Sequence, residues 1–121
     1  MDNTPDLPIF VKWIDFLKWL LKTTEKFPKK VRFTFSSRIN NLALDMVEEL
    51  VCARYTKHKI ENLRRANLIL EKLRILLRIS YEERFLAPAS YKIGAHSLHE
   101  IGKMLGGWLK QQNTRAEEVK R

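Results

Sequence analysis

The stretch Glu100-Ile101-Gly102-Lys103-Met104-Leu105-Gly106-Gly107-Trp108-Leu109-Lys110 decides how the rest of the chain is read. At the helical period, Leu98, Ile101, Leu105 and Trp108 form one apolar stripe. Three glycines interrupt the segment, and each costs roughly 0.5–1 kcal/mol relative to alanine inside a helix. Ala95, Gly102 and Gly106 form a small-residue groove beside the stripe. Such a groove lets a second backbone come close while Trp108 fills the adjoining space. This is a device for packing helices, and nothing in it performs bond chemistry.

Working outward, three further helical segments precede it. The first is expected over about 7–26, with Asp6 as N-cap, Pro8 in the first turn and Phe27-Pro28 as the stop. Ile9, Phe10, Trp13, Phe16, Leu17, Leu20 and Leu21 share its broad apolar face. The second covers about 31–55. Phe35, Ile39, Leu42, Met46, Leu50 and Ala53 make a stripe at bundle-core spacing. Phe33, Leu44, Val47, Val51 and Tyr55 make another on roughly the opposite side. A helix buried on two sides needs two neighbours, which points to self-association; the alternative is a helix sunk deep in its own bundle.

The third segment, about 58–83, has Leu63, Ala66, Leu70, Leu73, Leu77 and Tyr81 along its seam and Leu68, Ile75 and Ile79 elsewhere. The fourth is expected over about 90–112, with Ser90 as N-cap and 113–121 as a frayed polar tail. Short links between such helices give an all-α, antiparallel up-down-up-down four-helix bundle, one domain over 1–121.

Composition fits this reading. The 121 residues contain only four Gly and four Pro, which disfavours a turn-rich β architecture. Cys52 is the only cysteine, so no intrachain disulfide forms and a reducing cytoplasm suits the chain. The start is acidic, unlike a secretory signal, and the apolar run from Ile9 to Leu21 is broken by Lys12, Asp15 and Lys18. No membrane contact is expected. The net charge is +9, and the four successive quarters of the chain contribute +2, +2, +2 and +3. A basic folded body, rather than a basic arm, therefore faces polyanions.

Catalytic chemistry finds little support. His96 and His99 lie three apart with Glu100 in reach of His96, but no further Cys or His completes a zinc set, and His58 stands alone. Cys52 falls near Glu48 and Glu49, a setting that disfavours a thiolate. No phosphate-cradling glycine loop or zinc-protease motif occurs. The expectation is a non-enzyme with no cofactor, no metal and no small-molecule substrate.

The basic residues are the better candidates. Lys29, Lys30, Arg32 and Arg38 surround the first link; Arg54, Lys57, Lys59, Arg64 and Arg65 surround the second. In an antiparallel bundle those links sit at opposite ends. Arg74 and Arg78 stand one turn apart beside Glu71 and Glu82, suited either to ion pairs or to phosphate. The bland alternative is a solvated surface, since 31% charged residues is not far above the usual quarter.

Three motifs carry a family likeness: Phe27-Pro28-Lys29 after the first helix, Leu73-Arg74-Ile75-Leu76-Leu77-Arg78 in the third, and Ile101-Gly102-Lys103-Met104-Leu105-Gly106-Gly107-Trp108 in the fourth. Together they resemble the accessory variability determinants of diversity-generating retroelements. Those belong to a wider group of bacterial four-helix bundles that includes proteins encoded in 23S rRNA intervening sequences. That sister branch carries Val-Trp-x-x-Ala, Ala-Glu-Gly and Gly-Ser-hydrophobic-x-Glu patterns. Here Val11-Lys12-Trp13-Ile14-Asp15, Val47-Glu48-Glu49 and Arg78-Ile79-Ser80 stand near those places, which favours the retroelement branch.

The resemblance implies a pentameric barrel of bundles that associates with a reverse transcriptase and binds RNA and DNA through positive surfaces. It supplies no contact list. The eleven basic residues named above are expected to bind nucleic acid or the partner. Leu44, Val47, Val51, Gly102, Gly106 and Trp108 are expected to pack helices or subunits. Rival readings are the intervening-sequence type, a helical module for an acidic protein partner, and a membrane-surface protein using Trp19 among Lys12, Lys18, Lys22 and Lys26.

Overall fold

The computed structural model describes residues 6–120, with side chains for 7–119. Four α-helices and no strand occur among the described residues: α1 Asp6–Thr24, α2 Ser37–Tyr55, α3 Lys59–Glu82 and α4 Pro88–Lys120. A 3₁₀ turn, Lys29–Val31, and a π turn, Arg32–Ser36, precede α2. Each helix packs on its chain neighbours, and α1 closes the bundle against α4. Contacts run antiparallel: Thr24 meets Asn40 where Trp13 meets Ala43, and Tyr81 meets Tyr91 where Arg74 meets Leu98.

The core follows the apolar stripes. Ile39, Leu42, Met46, Leu50 and Ala53 of α2 are buried, as are Leu63, Ala66, Leu70, Leu73 and Leu77 of α3 and Leu98, Ile101, Leu105 and Trp108 of α4. Each large side chain so buried contributes roughly 1.5–3 kcal/mol. Trp13 is wholly enclosed, and its indole N–H donates to the Ala43 carbonyl at 3.0 Å, so its one polar atom is satisfied inside the core. Trp19 of α1 lies against Gly94 of α4, where an added Cβ would come within 3.1 Å of the ring and 3.2 Å of Leu77 Cδ1. Gly94 is thus the glycine that close helix packing requires.

Several boundaries differ from expectation for identifiable reasons. The segment 31–55 is not one α-helix. Its Thr-x-Ser-Ser run competes with the backbone ladder, and the Thr34 hydroxyl donates to the Val31 carbonyl at 3.3 Å inside the π turn. Phe33 stands in that turn, outside α2, so the part of the second stripe that α2 carries begins at Leu44. Leu44 and Tyr55 are 49% and 79% exposed, and Val51 is exposed too. Val47 instead packs partly against the core. α2 is therefore not sunk within its own bundle.

The N-cap expected at Ser90 is displaced because α4 already starts at Pro88, whose fixed φ suits a first helical position, and Tyr91 N–H bonds to the Ala87 carbonyl at 2.9 Å. At the other end α4 continues to Lys120 instead of fraying after Gln112. Arg115, Ala116, Glu117 and Glu118 are sound helix formers and no Gly or Pro interrupts them. α1 ends at Thr24, short of Lys26, and the cap assigned to Asp6 lies outside the described side chains. No helix among the described residues is long and apolar enough to cross a membrane.

Candidate nucleic-acid interface

α3 ends in a Schellman turn: Phe85 N–H bonds to the Ser80 carbonyl at 2.8 Å, and Arg84 N–H to that of Tyr81 at 3.1 Å. Arg84 occupies the left-handed position at φ 65°, where glycine is usual. The turn delivers Phe85 against Phe27, ring centroids 6.2 Å apart, and against Phe35 at 5.4 Å. These three rings tie the α1–α2 link to the α3–α4 link, so Lys29, Lys30, Arg32 and Arg84 share one end of the bundle. Thr24, Ser36 and Asn40 pin the same end internally, with the Thr24 hydroxyl 3.2 Å from Asn40 Oδ1 and Ser36 Oγ donating to the Thr24 carbonyl at 3.5 Å.

The cations at this end stand free. Lys29, Lys30, Arg32, Arg38 and Arg84 are exposed, and none forms an ion pair among the described residues. Lys22, on the last turn of α1, and Lys26, in the turn that follows it, are exposed and unpaired in the same sense. Glu25 and Glu83 are the acids nearby in sequence, and a groove of about 550 Å³ opens beside Glu25, Lys29 and Arg32. Arg84 is the member that sequence reading missed. Its signal lay in the packing of Phe85, which no spacing rule places beside Phe27.

The other candidates are held differently. Lys59 does not present its charge to a ligand: its Nζ donates to the carbonyls of Ala53, Arg54 and Thr56 at 2.5, 3.3 and 2.9 Å, closing the C-terminus of α2. Arg65 grips Glu49, with Nε 3.2 Å from each carboxylate oxygen, and lies 3.8 Å from Glu61. Glu49 also accepts from Asn62 at 3.0 Å. Arg65 is thus a strap between α2 and α3. Arg64 pairs with Glu61 at 3.7 Å and Arg78 with Glu82 at 3.5 Å, all on exposed surface. Arg54 lies 5.7 Å from the Tyr55 ring centre. Lys57, in the link itself, is exposed and has no ion pair among the described residues.

Arg74 corrects the reading of the glycine groove. Its guanidinium pairs with Glu71 and donates to the Leu98 carbonyl at 3.3 Å, crossing α4 over Gly102. A Cβ on Gly102 would meet the guanidinium at 2.5 Å. What fills that position is an arginine side chain of the same protomer, not a second backbone. Trp108 likewise belongs to the protomer's own core, whereas Gly106 faces open space. Arg74 and Arg78 also line a groove of about 350 Å³ with Tyr91 and His99. No three His, Cys, Asp or Glu side chains converge on a metal-sized site among the described residues.

The family model described as bAvd-like matches residues 9–112, from the first buried residue of α1 to the last buried residue of α4. Comparison with curated proteins returns no match. The matched span takes in α2 and α3 whole and most of α1 and α4; in keeping with the likeness carried by Leu73–Arg78 and Ile101–Trp108, the chain belongs to the bAvd-like family.

Proposed function

We propose that this chain is a non-catalytic accessory subunit of a diversity-generating retroelement. It works in the cytoplasm, self-associates into a ring, and holds template RNA and its cDNA beside a reverse transcriptase that does the chemistry. The observation that carries the nucleic-acid part is the concentration, at the α1–α2 end, of cations without acidic partners among the described residues, in a chain of net charge +9. Phosphate contacts gain from charge that is not already neutralised, and they position a strand without reading its bases.

Self-association rests on the exposed stripe of Leu44, Val51 and Tyr55, together with Leu68 and Ile75 on α3. A groove of about 210 Å³ lined by Leu7, Phe10, Val51 and Tyr55 extends that apolar surface onto α1. A second copy would cover it, and repetition of the basic end around a ring would multiply the phosphate contacts. The family resemblance supports a ring of five.

Filter binding with single-stranded RNA tests the central claim. Changing Lys29, Lys30, Arg32 and Arg38 together to Gln should weaken binding at least about tenfold and make the log–log salt dependence shallower by about two to three. Changing Arg64, Arg65 and Arg78 to Gln should leave both nearly unchanged. Equal losses in the two variants would sink the assignment. Light scattering that gave a mass near the protomer's 14.4 kDa would sink the ring.

A further inference from the structure

Phe33 is the most exposed described large apolar residue at 87%, and it stands in the π turn between Arg32 and Thr34. No ring contact or cation–π contact holds it among the described residues, whereas its neighbours Phe27 and Phe35 both pack on Phe85. Two positions apart on one helical turn, Phe33 and Phe35 face opposite ways: Phe35 packs inward on Phe85 and Phe33 points outward. π turns of this kind recur at functional positions. Around it lie Lys29, Lys30 and Arg32, all exposed and without acidic partners among the described residues.

From this juxtaposition we infer that Phe33 is a base-stacking platform, and that the α1–α2 end takes an unpaired stretch of nucleic acid rather than a duplex. This rests on the polyanion reading above and names the strand state it selects. A lone protruding ring among cations matches the alternation of flat base and charged phosphate along a single strand. In a duplex the base faces are covered, so only the cations would engage. The polar neighbours Lys30, Thr34 and Ser37 make the apolar tip too narrow to insert into a lipid surface, which needs a broad apolar face.

Fluorescence anisotropy with the full-length protein tests it, using a short oligothymidylate, a strand of equal length carrying abasic sites, and a duplex. Phe33→Leu keeps an apolar side chain but removes the π face; Phe33→Trp keeps the face. Phe33→Leu should weaken binding to oligothymidylate about fivefold or more, the range for loss of one base stack, and leave the abasic strand unaffected. Phe33→Trp should bind as the parent does, and the parent should prefer oligothymidylate to duplex.

Unchanged oligothymidylate affinity in Phe33→Leu, while the Lys29/Lys30/Arg32/Arg38 variant fails to bind, overturns the stacking site and leaves the polyanion reading intact. Failure of the parent to bind any strand overturns both. A loss in Phe33→Leu that is equal for the abasic strand, that comes with a drop in assembly mass, or that appears only with anionic phosphatidylserine vesicles, also overturns the platform.

Discussion

The two inter-helix links of α2 carry basic residues in similar number and use them in opposite ways. At the α1–α2 link, Lys29, Lys30 and Arg32 sit on short 3₁₀ and π turns; Glu25, four positions before Lys29, lies past the end of α1 and forms no ion pair with it among the described residues. At the α2–α3 link, Lys59 closes a helix end, Arg65 straps two helices through Glu49, and Arg64 has Glu61 one turn behind it. Formal charge is alike at the two links; charge available to a ligand is not. A basic residue within helical reach of a carboxylate, or of a helix C-terminus, is spent inside the molecule before any phosphate arrives.

The sharpest way to break this contrast is to release the charge at the second link. Glu49→Gln frees Arg65 of its two-oxygen grip. Glu49 is mostly shielded while Arg65 is half in water, with side chains 22% and 53% exposed, so the pair stabilises the fold by about 1 kcal/mol. Urea unfolding should show that loss. RNA affinity should rise about twofold to fivefold, with a salt dependence steeper by nearly one. If stability falls and binding does not change, charge release alone does not create a phosphate site, and the α1–α2 turns contribute geometry as well.

This contrast was only partly legible in the sequence. Helix number, seams and the antiparallel order were readable because Ile39–Ala53 and Leu63–Leu77 repeat at the helical period and each seam lies within one segment. The π turn was not, because its cause is competition from Thr34 for the Val31 carbonyl, an effect one residue wide. Nor was the role of Gly94, which depends on Trp19 arriving from the far end of the chain. The basic residues could be counted, but Lys59 caps a helix six residues back only because the link turns sharply, and Arg65 meets Glu49 only across the α2–α3 contact. Pairings along one helix are spelled by spacing; pairings between helices are set by the fold.

Arg84 sharpens the comparison from the free end. It holds a left-handed φ that costs a non-glycine residue about 1 kcal/mol, and it contributes an exposed cation to the α1–α2 end. Arg84→Gly should therefore raise unfolding free energy by about 1 kcal/mol while lowering RNA affinity about twofold. Opposite signs in the two measurements would mark a residue retained for charge at the expense of backbone comfort. A gain in stability with unaltered binding would remove Arg84 from the interface and restrict it to the first link.

The smallest expected effect decides most cleanly between the two uses of a lysine. Lys59→Met keeps the apolar stem and deletes the ammonium that donates to Ala53, Arg54 and Thr56. Loss of these charge-assisted bonds at the C-terminus of α2 should cost about 0.5 kcal/mol, the usual scale for a cation at a helix end near the surface. Because the same ammonium already faces three carbonyls, RNA affinity and its salt slope should stay where they are. A phosphate-binding lysine predicts the reverse pattern, a weaker and flatter titration with no change in unfolding. Measuring both quantities on this one variant therefore separates a helix cap from a phosphate contact.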